Sequence, residues 1–174
     1  MHAFVVVKPL LLTCALVAGL AVATGSVAHA AGTTPACATG GLVVWFDTNG
    51  DSAAGSTYFE LKLTNLSGRR CALKGYPGVS AVDLAGRHLG SAAGRNAHTR
   101  VSTVTLAPGR TAAALLQVAH TGVYPTAECR PVIAAGLRVY PPNQEGSKVV
   151  PFPFRACSRV GPVYLHVQAV TLSG

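Results

Sequence analysis

From about residue 41 onward, turn-forming residues interrupt this chain roughly every ten positions. They include Asn49-Gly50, Ser67-Gly68, Tyr76-Pro77-Gly78, Ala85-Gly86, Pro108-Gly109, Pro141-Pro142 and Gly161-Pro162. Runs this short are poor lengths for helices but good ones for strands, whose usual length is about five or six residues. The runs are rich in Val, Leu, Phe and Tyr, and several alternate. In TYFELKLT, Phe59, Leu61 and Leu63 point one way and Tyr58, Glu60, Lys62 and Thr64 the other. Near the end, Val163, Leu165, Val167 and Ala169 alternate with Tyr164, His166 and Gln168. Period two means strands with one wet and one buried face. TAAALLQVAH, residues 111–120, is helix-favouring by composition. It follows Pro108-Gly109 and the strand-like VSTVTL, so it reads as the second arm of a hairpin. The pattern predicts an all-β fold: one antiparallel β-sandwich domain of about seven to nine strands over residues 37–174.

The first thirty residues follow another logic. Lys8 carries the only full side-chain charge before residue 47, and Pro9 to Thr24 is almost unbroken apolar sequence. Ala28-His29-Ala30 then precedes Ala31, the A-x-A pattern of a secretory signal peptide. The run is shorter than the roughly 20 residues that cross a bilayer. The expectation is a signal peptide over 1–30, cleaved between Ala30 and Ala31, a short leader over 31–36, and no membrane span in the mature chain. Cys14 lies inside the apolar run and not after it, so lipidation there is not expected.

Cleavage would change the cysteine arithmetic. Of 174 residues 144 would remain, the net charge would fall from +8 to +7, and five cysteines would become four: Cys37, Cys71, Cys129 and Cys157. An even set in an exported chain points to disulfides. Four cysteines allow three connectivities. Sequential pairing, Cys37–Cys71 with Cys129–Cys157, is preferred because it closes two separate loops of similar size. Each bridge would stabilise by about 3.5–4 kcal/mol on chain-entropy grounds. No C-x₂₋₄-C pair exists, so a zinc site is not expected.

The segment LTNLSGRRCALKGYPGVSAVDLAGRHLG, residues 63–90, resembles the actinobacterial secreted family called domain of unknown function 4232. The matching features are Thr64-Asn65, Ser67-Gly68, Cys71, Gly75-Tyr76-Pro77-Gly78-Val79 and Gly86, with weaker echoes at Trp45-Phe46-Asp47, Cys129, Leu137 to Pro142 and Ala156-Cys157-Ser158. The resemblance implies a secreted or surface-attached bacterial domain with an immunoglobulin-like sandwich fold. It carries no established activity, and hence no catalytic residues. Within the block, Gly75 and Gly78 bracket Tyr76-Pro77 and would permit positive φ. Tyr76 is expected to bury its ring and bond its hydroxyl to backbone as a corner staple, in preference to an exposed ligand platform.

Several motifs invite chemistry. Gly50-Asp51-Ser52 is a hydrolase-like triplet, but His2 and His29 are the only histidines before Ser52 and both would leave with the signal. The late Asp-x-x-His of GDS esterases is also missing. Asp47-Thr48-Asn49-Gly50-Asp51 opens like a calcium loop, yet Gly50 stands at position four and Tyr58 at position twelve. An Asx-rich turn is the better reading. His88, His98, His120 and His166 show no metal-ligand spacing, so no metal and no cofactor is expected. Asn65-Leu66-Ser67 is formally a glycosylation sequon.

Thirteen mature basic residues face six acidic ones. Arg87, Arg95, Arg100 and Arg110 fall in one central segment without interleaved aromatics, which disfavours nucleic acid as a partner. They are candidate contacts for an anionic polymer. The function expected is a non-enzymatic extracellular or cell-envelope binding module, whose partner is an anionic cell-wall polymer or another secreted protein. The alternatives are a secreted hydrolase using Ser52 and a histidine-based metal-handling protein.

Overall fold

The alternating segment TYFELKLT forms the heart of the larger sheet. The computed structural model describes residues 1–3 and 33–174, so the cleavage position expected between Ala30 and Ala31 lies outside the described residues, as does Cys14. The strands are β1 (Leu42–Ala53), β2 (Ser56–Asn65), β3 (Cys71–Lys74), β4 (Gly78–Val82), β5 (His88–Leu89), β6 (Gly94–Arg95), β7 (Thr103–Leu106), β8 (Thr111–Ala119), β9 (Pro131–Tyr140), β10 (Lys148–Cys157), β11 (Leu165–Val167) and β12 (Thr171–Leu172). One helical turn, α1 (Thr126–Cys129), precedes β9. The first sheet runs β1-β2-β8-β11-β6 with β12 also on β8, the second runs β10-β9-β4-β5, and β3 pairs with β7. The ladders are antiparallel except for the short β6–β11 pairing.

The all-β architecture agrees with the sequence. The twelve strands among the described residues exceed the expected seven to nine. The excess lies in β5, β6, β11 and β12, which have two or three residues each. Segments of two residues carry no readable periodicity, while β11 falls within the alternation over 163–169.

Leu61 and Leu63 of β2 are fully buried. They share one apolar cluster with Leu116 of β8, Leu137 and Val139 of β9, Leu73 of β3 and Leu106 of β7. All three sheets therefore feed a single core, each such side chain contributing about 1.5–3 kcal/mol. Phe59 is half-buried and closes one edge of that core. Its ring centroid lies 4.9 Å from that of Phe152 on β10, and Phe46 of β1 stacks on Phe152 at 5.1 Å. β10 is an edge strand, which explains how PFPF fits a sheet. Pro151 and Pro153 face out, where a missing N–H costs little, while Phe152 and Phe154 pack against the core.

Segment 111–119 is a strand, as expected, but not a hairpin arm. β7 pairs with β3 and β8 pairs with β2, so Pro108-Gly109 carries the chain from one sheet to another. Burial of the consecutive Ala112, Ala113 and Ala114 shows β8 covered on both faces. Tertiary burial there outweighs alanine's helix preference. Asn65 holds the crossing turn. Its backbone accepts from Gly109 N at 2.7 Å and donates to Arg110 O at 2.9 Å. Its side-chain amide donates to Arg69 O at 2.7 Å and Leu106 O at 3.0 Å, and its Oδ1 accepts from Ser67 N at 3.0 Å and Ser67 Oγ at 2.7 Å. With 0% exposure, this residue of the formal sequon has its amide committed to the fold.

The β1–β2 hairpin turns at Ala54-Gly55, not at Asn49-Gly50. Both turn residues have positive φ, 47° and 74°, as a two-residue type I′ loop demands. Asn49-Gly50 lies instead where the β1–β2 register slips between Asp47 and Asp51. Glycine is needed there because a Cβ on residue 50 would stand 2.5 Å from Phe59 Cε1. Alanine is strained in the left-handed region, by roughly 1–2 kcal/mol. Ala54→Asn, restoring the favoured Asn-Gly pair, should therefore stabilise the domain by about 0.5–1 kcal/mol. Thermal melting of the two proteins at one pH checks this, and an unchanged or lower midpoint would show that the turn is not strained.

The C-terminal alternation holds for Leu165, Val167 and Ala169, which are buried, but fails at its start. Val163 is exposed and Tyr164 has 0% exposure. Tyr164 precedes β11, its carbonyl accepts from Ala119 N at 2.8 Å, and its hydroxyl donates to Leu89 O at 3.2 Å. Residues 162–164 belong to no strand, so the alternation of β11 does not extend to them.

The structure joins Cys37 to Cys71 and Cys129 to Cys157, the sequential pairing. The first bridge straps the leader to β3, assisted by Ala72 N donating to Pro35 O at 2.8 Å and Cys37 N to Ala72 O at 3.0 Å. The second ties α1 to the end of β10. Residues Thr33–Gly174 form one compact unit.

Candidate functional site

Just past β3 the chain must reverse. Gly75 does so at φ +103°, which lets Tyr76 emerge beside the sheet and Pro77 tuck beneath it. Gly78 has no positive φ. It opens β4 opposite Tyr140 of β9, and a Cβ there would meet that tyrosine at 3.3 Å. Tyr76 is half-buried and not the corner staple the sequence suggests. The hydroxyl-to-backbone bonds belong to Tyr164, and to Tyr124, which donates to Val163 O at 3.1 Å.

Tyr76 instead lies under a guanidinium. Arg95 Cζ sits 5.5 Å from the Tyr76 ring centroid, within cation–π reach. The β6–β11 pairing places Arg95 opposite Val167, and Asn96 N donates to Val167 O at 2.8 Å. Lys74 contributes a second exposed cation at the end of β3. Asn143 in the β9–β10 turn donates its side-chain amide to Lys74 O at 3.0 Å, pinning that turn as the far wall. The result is an open groove of about 510 Å³ whose lining includes Lys74, Tyr76, Arg95, Tyr140, Asn143 and Gln144. Two aromatic rings, two cations and two amides in one groove suit a polar, anionic ligand lying across the surface.

The four candidate arginines are not gathered there. Arg95 lines the groove. Arg100 is exposed in the loop before β7. Arg110 borders a different pocket with Trp45 and Lys62. Arg87 is paired with Asp83 at 2.8 Å, and hydrogen bonds from the Arg87 backbone and side chain hold the Asp83 carboxyl below its ordinary value. No local pattern brings Lys74, Tyr140 and Asn143 together: the β4–β9 register sets Tyr140 opposite Gly78, and the Asn143 bond to Lys74 O joins the β9–β10 turn to the end of β3.

Ser52 Oγ is 3.2 Å from Thr57 Oγ1, which is 3.2 Å from His120 Nε2. Among the described residues, histidine thus reaches Ser52 only through Thr57. Asp47 Oδ1 accepts from both Asn49 N and Asn49 Nδ2 at 3.1 Å, an Asx arrangement inside β1. His88 Nε2 is 3.3 Å from Arg138 Nη1, and His166 Nε2 is 3.1 Å from Val163 O. Among the described residues no three His, Cys, Asp or Glu side chains come together as a metal site.

A second concavity, of about 300 Å³, opens between the two larger sheets beside the phenylalanine cluster. Its lining is mainly apolar, with His120 and Arg155 among the exceptions.

The family model described as Domain of unknown function (DUF4232) matches residues 37–171. Neither curated proteins nor solved structures gave a match. That match opens on the first half-cystine, takes in both disulfides and the whole Tyr76 groove, and reaches into β12, so the chain belongs to the DUF4232 family.

Proposed function

We propose that this protein is a secreted, non-enzymatic binding module that holds an anionic cell-envelope polymer in the Tyr76 groove. The observation that carries the reading is Arg95 seated over Tyr76, beside Lys74 and Tyr140, in one open channel. The two disulfides agree with an oxidising compartment. Among the described residues no helix is long and apolar enough to cross a membrane. Removal of residues 1–30 as a signal peptide belongs to the same proposal. The net charge of +8, or +7 after that removal, adds a long-range attraction. A hydrolase using Ser52 has weaker support, since His120 bonds Thr57 and, among the described residues, no carboxylate bonds His120. The scattered histidines give metal handling less support still.

Binding of this kind should be salt-sensitive, because the Debye length falls from about 8 Å at physiological ionic strength to roughly half that near 0.5 M. The mature protein should sediment with purified actinobacterial cell walls at low salt and be released at about 0.5 M. Lys74→Gln with Arg95→Gln should abolish retention. Arg87→Gln with Arg110→Gln, an equal loss of charge elsewhere, should leave most of it. Equal effects from both pairs would mean that net charge acts without a site. Retention unaffected by salt and by either pair would mean a different receptor.

A further inference from the structure

The geometry points to a second, independent binding site: the pocket between the two larger sheets takes a small aromatic carboxylate. Phe59 of β2 and Phe152 and Phe154 of β10 form its apolar wall, with Phe152 and Phe154 ring centroids 5.5 Å apart. These rings are only partly buried although they pack on the core, so apolar area remains for a guest. The volume of about 300 Å³ is about twice that of a cavity known to accept benzene. It therefore suits a two-ring body.

The mouth supplies polarity on one side. Thr57 Oγ1 and His120 Nε2 lie 3.2 Å apart there, a hydroxyl and an imidazole at the rim of an apolar chamber. Arg155 lies at the mouth, exposed, and makes no salt bridge among the described residues. An unpaired guanidinium beside an aromatic wall selects a ligand with an apolar body and an anionic end. A cation would meet Arg155 unfavourably. The site lies on different residues from the Tyr76 groove, so either assignment can fail alone.

The probe is 2-naphthoate, with 2-naphthalenemethanol as its uncharged counterpart, titrated against the mature protein by calorimetry and ligand-observed NMR. Naphthoate should bind, and more tightly than the alcohol. Arg155→Gln should weaken naphthoate by about threefold and leave the alcohol unchanged. Gly122 lines the pocket, and a side chain added there meets nothing within 4 Å. Gly122→Phe should therefore occupy the space and abolish binding of both probes while the melting temperature holds. If Gly122→Phe does not fold, Gly122→Leu takes its place. Failure of the parent protein to bind naphthoate, equal affinity for the alcohol, or binding that survives a folded Gly122 variant would each overturn the assignment.

Discussion

Replacing Cys129 and Cys157 together by alanine should cost about 2–5 kcal/mol of stability. Both half-cystines are fully buried, and their bridge closes a 28-residue separation. It holds α1, a single turn too short to persist alone, and the residue after it. Arg130 leaves that turn at φ +46°, a strained conformation for a side chain-bearing residue. Hydrogen bonds reinforce the bridge: Ser158 N donates to Cys129 O at 2.9 Å, and Ser158 Oγ to Arg130 O at 2.8 Å. Equilibrium urea unfolding of the parent and double variant measures the difference. A loss below about 1 kcal/mol would show that these hydrogen bonds, and not the disulfide, fix the corner.

Tyr164→Ala should cost about 3–5 kcal/mol, the usual range for deleting a wholly buried aromatic ring. Tyr164→Phe should cost only about 1 kcal/mol, because it keeps the packing and loses the bond to Leu89 O. The same residue predicts a pH effect. Burial pushes the Tyr164 phenol well above its ordinary value near 10, since the fold disfavours the charged form. The unfolded chain therefore releases this proton first as pH rises. Below pH 10 the contribution is complete, and it is lost progressively as pH climbs from about 10 towards the raised value. Unfolding free energies measured from pH 8 upward should fall more steeply for the parent than for Tyr164→Phe above pH 10. Parallel curves would mean that Tyr164 is accessible to solvent.

What local sequence encodes of this fold has a physical boundary. The inward set Leu61 and Leu63 and the sequential disulfides were legible because side-chain alternation and cysteine order can be read along the chain, whereas the strand at 111–119 showed only through the turn before it. The hairpin assigned across Pro108-Gly109 failed because a tight turn says only that the chain reverses, not which sheet it re-enters. Asn65 decides that, and its four side-chain hydrogen bonds join residues up to 41 positions away. The tyrosines show the same limit. Tyr76 sits in the more conspicuous motif, yet Tyr164 has the buried ring, through its contact with a strand 75 positions earlier. Arg95 was singled out by charge alone. Its ring partner Tyr76 and its neighbours Lys74 and Tyr140 come from two other parts of the chain, brought together by the β4–β9 ladder and the short parallel β6–β11 pairing.

On the proposed reading one groove, rather than the basic surface as a whole, receives the anionic ligand. Titrating the isotopically labelled mature domain with a short glycerol-phosphate oligomer, followed by amide NMR, tests it most directly. Saturable shifts should appear, confined to residues 74–78, the Arg95 strand and residues 140–144, and should be abolished by Lys74→Gln with Arg95→Gln. Non-saturating shifts spread over Arg69, Arg70, Arg87 and Arg110, or none in the groove, would contradict it.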